Sequence, residues 1–153
     1  MDVHTRQYVI EDIQDVTVDT AVYAAGDLLC EKLELVVGRD VLLNKIVVID
    51  LAKQDAELNF IFFDSNPSGT TFTENDALTI ADADLDKITG IFVVDPSDYE
   101  DFANNSCACV YFDNMLLHIK GKILYCAVEV GGTSTPDYVA AGDLRFRFGF
   151  FKN

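Results

Sequence analysis

The chain has 153 residues, 50% of them hydrophobic and 24% charged, with 11 basic against 26 acidic side chains and a formal net charge of -15. That composition excludes a disordered or fibrous chain, and the charge argues against direct nucleic-acid binding, because neutralising phosphates supplies most non-specific affinity for a nucleic acid. Residues 1–10 (MDVHTRQYVI) lack the basic and apolar regions of a signal peptide, and no apolar run reaches the about 18 residues of a membrane span. The expectation is a soluble chain that is not exported by the usual route. It is read as a single domain over 19–153, preceded by an N-terminal arm or edge element at 1–18. A chain of this size buries roughly two-thirds of its unfolded surface, enough for a core without disulfides or metal.

Residues 1–18 have mixed polarity, with Ile10, Ile13 and Val16 at amphipathic spacing, and are compatible with a strand, a short helix or an arm. Residues 31–37 read as a strand. Residues 41–51 (VLLNKIVVIDL) read as a long strand bent or bulged midway, with Val41, Leu43, Val47, Ile49 and Leu51 on one face and Asn44 and Asp50 on the other. Residues 58–63 (LNFIFF) are apolar on both faces apart from Asn59, as in a central strand covered on both sides. The turn-rich stretch 64–79 reads as an exposed loop, and 76–86 (DALTIADADLD) as the one helical piece, capped by Thr79 or Asp82.

A strand follows from 88 to 95 and stops at Pro96. The stretch 106–113 (SCACVYFD) is expected to pair with 116–119 or with 122–130, the turn between those two lying at Gly121. At the C-terminus, Leu144, Phe146, Phe148 and Phe150 alternate with Arg145, Arg147 and Gly149, the pattern of a half-buried antiparallel strand. Seven or eight short strands about ten residues apart predict an all-β fold. The expected architecture is a single antiparallel β-sandwich, jelly-roll-like, with one short helical segment near 76–86.

The string Ala-Ala-Gly-Asp-Leu occurs twice, at 24–28 and 140–144, each time shortly after a tyrosine, Tyr23 or Tyr138. The flanking sequences differ, so it reads as one local turn used twice and not as a duplicated domain. Cys30, Cys107, Cys109 and Cys126 read as free thiols, with Cys107, Cys109 and Tyr111 sharing one face of a strand. A zinc site would need paired ligand sets, and His4 and His118 are isolated.

Asp82, Asp84 and Asp86 have the alternation of a calcium loop. Lys87 stands where its glycine is required, however, and Val93 where its bidentate glutamate is required. Asp95, Asp98, Glu100 and Asp101 form a second acidic cluster without ligand spacing. There is no G-x-S-x-G, phosphate loop or H-E-x-x-H. The expectation is therefore a protein that is not an enzyme, with no catalytic, cofactor-binding or metal-binding residue.

Residues 22–35 (VYAAGDLLCEKLEL) resemble the Y-A-A-G-D opening of small structural proteins of tailed bacteriophages. The order that follows is similar as well. A strand at 45–51 leads to an apolar strand ending in F-x-x-x-P at 63–67, then to an acidic segment at 75–90 and a further strand pair. A closing Y-x-A-A-G-D-L strand begins at Tyr138. The resemblance spans about residues 20–153. It implies a capsid decoration or auxiliary head protein, a non-enzymatic virion component assembled in the host cytoplasm and carried on the capsid surface. Its implied partners are the major capsid protein and further copies of itself, a trimer being favoured, with neither nucleic acid nor membrane among them. Arg145 and Arg147 are then candidate contacts, with acid concentrated on the outward side. The alternative expectation is a carbohydrate- or receptor-binding sandwich of a phage fibre, with Tyr99, Phe102 or Tyr138 stacking on sugars.

Overall fold

The computed structural model describes residues 8–152, the first five of them through the backbone alone. Among the described residues nine strands are formed: β1 (Tyr8–Asp15), β2 (Leu33–Val36), β3 (Val41–Asp50), β4 (Leu58–Phe63), β5 (Ile88–Val94), β6 (Tyr99–Asp101), β7 (Ser106–Leu117), β8 (Ile123–Val130) and β9 (Leu144–Lys152). A one-turn helix, α1 (Asp82–Leu85), precedes β5. The strands make a five-stranded sheet in the order β1-β9-β3-β7-β6 and a four-stranded sheet in the order β2-β8-β4-β5, antiparallel throughout. Apart from the three-residue β6, the two sheets are the halves of an eight-stranded jelly roll, with the chain passing back and forth between them. The all-β antiparallel sandwich with one short helical segment near 76–86 is therefore the observed fold.

Alternation builds the core between the sheets. Leu144, Phe146, Phe148 and Phe150 point inward from β9 and meet Leu58, Phe60 and Phe62 of β4. The rings interlock edge to face across the gap: Phe60 lies 5.1 Å from Phe146 and 5.8 Å from Phe148, and Phe62 lies 5.9 Å from Phe148. One open side of the sandwich is closed by Phe92 of β5 against Phe112 of β7, 5.0 Å apart. Each such ring contributes roughly 1.5–3 kcal/mol by leaving water.

Four expectations are corrected. The bulge in β3 is present, between Leu43 and Lys45, and it reverses the faces beyond it. Val41 and Leu43 point inward, but after the bulge it is Ile46, Val48 and Asp50 that do so, and Val47 and Ile49 turn outward. The stretch 106–113 does not form a hairpin with 116–119 or 122–130. Instead β7 runs unbroken to Leu117 and pairs with β3 and β6, and β8 lies in the opposite sheet, because the jelly roll places these successive segments in different layers.

Nor is the loop at 64–79 simply exposed. Phe72, Leu78 and Ile80 pack on Leu28, Ile61, Phe63 and Ala127, so this stretch covers the outer face of the four-stranded sheet and β4 is buried on both sides. The cover is pinned by backbone bonds: the Leu28 N–H donates to Asp76 O at 2.9 Å and the Leu78 N–H to Gly26 O at 2.8 Å. Lys32 Nζ donates to Asn66 Oδ1 at 2.6 Å and sits 5.3 Å from the Phe72 ring and 5.2 Å from the Tyr125 ring.

The helix of the cover is shorter than 76–86 and neither Thr79 nor Asp82 caps it; Ala81 stands at its N-cap without a side-chain bond. Asp84 is fully buried there. It accepts from Thr70 Oγ1 at 2.7 Å and from Lys87 Nζ at 2.7 Å. The Lys87 ammonium, and then the Thr70 hydroxyl, hold its carboxyl below the ordinary 3.8. The folded chain thus binds this proton less tightly than the unfolded chain does. The stabilisation is complete above about pH 3.8 and is lost as pH falls through the lower folded value. Urea titrations between pH 5 and pH 2 should show this loss, and Asp84→Asn should be less stable at pH 7 with a flatter acid limb.

The two Ala-Ala-Gly-Asp-Leu turns lie together at one end of the sandwich. In each, the aspartate carboxylate accepts the N–H of the alanine three residues earlier, Ala24 to Asp27 at 2.7 Å and Ala140 to Asp143 at 2.8 Å. Each aspartate N–H returns a bond to that alanine's carbonyl, at 3.1 Å in both turns. Gly26 has φ +95°, as a type II turn requires, and Gly142 is not in that region. The two tyrosines meet edge to face, with centroids 6.0 Å apart, and both are buried.

Candidate functional site

The two sheets differ on their outer faces. The four-stranded sheet is covered by the 64–81 segment, whereas the five-stranded sheet carries no such cover among the described residues. Register places its outward side chains in rows. Ile13, Arg147, Val47 and Cys109 form one row across β1, β9, β3 and β7. Asp15, Arg145, Ile49, Cys107 and Glu100 form the next, extending to β6. Beyond them lie Gly149, Lys45 and Tyr111, then Phe151, Leu42 and Leu116.

This face exposes large apolar side chains on several neighbouring strands. Ile13 is 60% exposed, Leu116 58% and Tyr111 69%. Large contiguous apolar exposure marks contact sites more often than bare surface. Cations are set into it. Arg145 Nε lies 3.6 Å from Asp15 Oδ1, with both side chains half exposed or more, so the pair is worth little in water. Arg147 is held more closely against the sheet, and its Nε is buried with no hydrogen-bond partner. The Lys45 stem lies flat over β9 because Gly149 has no side chain; a Cβ there would come within 2.6 Å of Lys45 Cγ.

The opposite side is acidic. Glu31 just before β2, Glu34 within it, and Asp76, Asp82 and Asp86 along the cover are all exposed. Lys32 and Lys87 on that side are engaged by the cover itself. These exposed acids and the cations Arg145, Arg147 and Lys45 thus lie on opposite sides of the sandwich, although Val36, Ile91 and Val93 leave apolar surface on the acidic side as well.

The thiols fit the face on which the sequence placed them. Cys107 and Cys109 share the outer face with Tyr111, and Ala108, Val110 and Phe112 turn inward. All four cysteines are free. Burial pushes Cys30 up to about 12. Burial and then the neighbouring Cys109 raise Cys107, with Arg147 acting in the opposite direction. Neither shift favours a reactive thiolate.

Other sequence candidates have local structural roles. Asp95 and Asp98 form a capping box around a 3₁₀ turn at Pro96–Asp98, and Asp101 lies 3.3 Å from Lys53. His118 Nδ1 lies 2.7 Å from Asp40 Oδ2 on the surface, and His4 falls outside the described residues. Of the aromatics read as sugar platforms, Tyr138 is in the core and Tyr99 is half-buried with its hydroxyl donating to Ala56 O at 2.8 Å; Phe102 alone is exposed, at 55%. A cleft of about 550 Å³ between β1 and β2 is lined by Asp15, Glu31, Glu34 and Glu74 with Lys32 and Cys30. Among the described residues, no three His, Cys, Asp or Glu side chains are grouped as metal ligands. The sequence singled out Arg145 and Arg147, but not the apolar field around them. Val47 and Ile49 join that field only because of the bulge.

No protein-family model matches the chain, and no curated protein matches it significantly.

Proposed function

We propose that this chain is a non-enzymatic structural protein of a virus particle that attaches to the outer surface of a phage capsid as a small oligomer, a trimer being favoured. The observation that carries the reading is the inequality of the two outer faces on a jelly-roll frame. One is covered over Ile61 and Phe63 by the chain's own loop and bears acid, with Val36, Ile91 and Val93 of its edge strands still exposed, and the other is uncovered among the described residues, with cations among apolar side chains. A protein seated on a lattice needs such a division. The seated face wants dry contact and matching charge, and the free face benefits from like charge that keeps particles dispersed. Repetition over a lattice would also strengthen individually weak contacts. The frame itself adds only analogy, since jelly rolls serve in capsids and lectins alike.

Mass spectrometry of purified virions, joined to size-exclusion light scattering of the purified chain, tests this. The expected result is the chain at stoichiometric abundance in the particle and a trimer in solution. Its absence from the particle overturns the reading.

A further inference from the structure

Arg147 and Arg145 occupy the middle of the five-stranded sheet's outer face, in a field made by Ile13, Val47, Ile49, Cys107 and Cys109. Arg147 brings a buried Nε donor with no partner into that field. An arginine presents a planar fork of donors that matches a carboxylate bidentately, and it binds more strongly once a surrounding apolar rim has excluded water. Among the described side chains that register sets in these rows, the acids are Asp15 and Glu100, at the two margins. A second copy laid on this face by the same face would oppose arginine to arginine between two bodies that each carry -15.

We infer that this face is the docking surface of the protein and that its occupant is a different protein's surface, one presenting carboxylates within an apolar patch; resting on the function proposed above, that occupant is the capsid lattice. The guanidinium of Arg147 seats a partner carboxylate, Arg145 leaves its weak pair with Asp15 to take another, and Tyr111 and Leu116 close the rim. The acidic cover then faces solvent. Docking weakens as salt rises, because Arg145 and the partner's carboxylates are exposed charges that salt screens before they meet.

The test mixes the purified full-length chain with particles assembled without it and measures co-sedimentation. Wild type is expected to sediment, and Arg145→Glu/Arg147→Glu to bind at least about tenfold more weakly. Asp82→Lys/Asp86→Lys, on the opposite side, is expected to bind as wild type. Circular dichroism checks that each variant folds. Should the arginine variant not fold, Tyr111→Ala/Leu116→Ala trims two exposed side chains of the rim and is expected to weaken docking in the same direction. Equal sedimentation of wild type and the face variants overturns this inference and leaves the proposed function standing, whereas wild type that fails to sediment removes both. If light scattering finds that the face variants lose their oligomeric state, the face joins copies of this chain and the assigned occupant is wrong.

Discussion

Phe148→Ala is expected to destabilise the protein by about 4 kcal/mol, within the range for removing a phenylalanine from a core whose neighbours cannot collapse into the space. The Phe148 ring lies between those of Phe60 and Phe62 of the facing sheet, at 5.8 and 5.9 Å, and those of Phe146 and Phe150 on its own strand, at 6.3 and 6.2 Å. Its strand is held on both sides, by β1 and by β3, so the backbone cannot move in to fill the hole. Whole domains are stable by only about 5–15 kcal/mol, so this loss is a large fraction of the total. The chain has no tryptophan, so tyrosine fluorescence or far-ultraviolet circular dichroism would follow the urea transition. The midpoint should fall with little change in slope. Phe148→Leu keeps much of the volume and should cost less than half as much. Equal losses for the two variants would show that packing around this ring does not decide the stability.

The alternation at 144–150 was legible in the sequence because β9 is straight and regular. One phenylalanine at every second position fixes its buried face without ambiguity. The same logic failed in β3, where one irregularity between Leu43 and Lys45 shifts the pairing and exchanges the faces. A bulge could be suspected from the sequence, but its position could not be read. Asp50, placed outside by simple alternation, is in fact 1% exposed. Strand pairing was less legible still. A β7–β8 hairpin is the nearest-neighbour choice, whereas the jelly roll assigns these strands to different sheets, a choice made by long-range packing and absent from local pattern.

The docking face was legible only in part, for a related reason. Arg145 and Arg147 are visible as outward residues of β9. The apolar field around them is assembled from three other strands, however, and depends on register. The loop at 64–79 is the converse case. Its polar, turn-rich sequence hides two anchors, Phe72 and Leu78, with Ile80 just beyond it, and their significance appears only against Ile61 and Phe63, apolar outward residues of β4. The doubly apolar pattern of LNFIFF was the available signal, since a strand buried on both faces requires something to cover each. The covering segment could have been sought among the loops on that ground.

Asp50 carries the other large expectation. At the end of β3 its carboxylate accepts three backbone donors from the turn that follows: Ala52 N–H at 3.0 Å on Oδ1, and Gln54 N–H at 2.8 Å and Asp55 N–H at 3.0 Å on Oδ2. The turn places Lys53 and Asp55 at positive φ, 53° and 50°, a conformation that costs free energy and needs such anchoring. Asp50→Ala strands all three donors and should cost about 3 kcal/mol, taking roughly 1 kcal/mol for each partly buried N–H left without its acceptor. Asp50→Asn keeps one oxygen as an acceptor and turns its NH₂ toward the remaining donors, so an intermediate loss is expected.

The pH dependence of that pair of variants separates charge from hydrogen bonding. Burial raises the Asp50 carboxyl above its ordinary 3.8, against the opposing pull of the Asp55, Gln54 and Ala52 N–H groups. The folded chain therefore holds this proton more tightly than the unfolded chain. The contribution from titration is complete below about pH 3.8 and is lost as pH rises through the folded value. The advantage of wild type over Asp50→Asn should accordingly narrow from pH 3.5 toward neutrality, as measured by urea denaturation across that range. A gap that widens instead would mean that the three N–H donors outweigh desolvation and that Asp50 acts in the fold as a stabilised carboxylate.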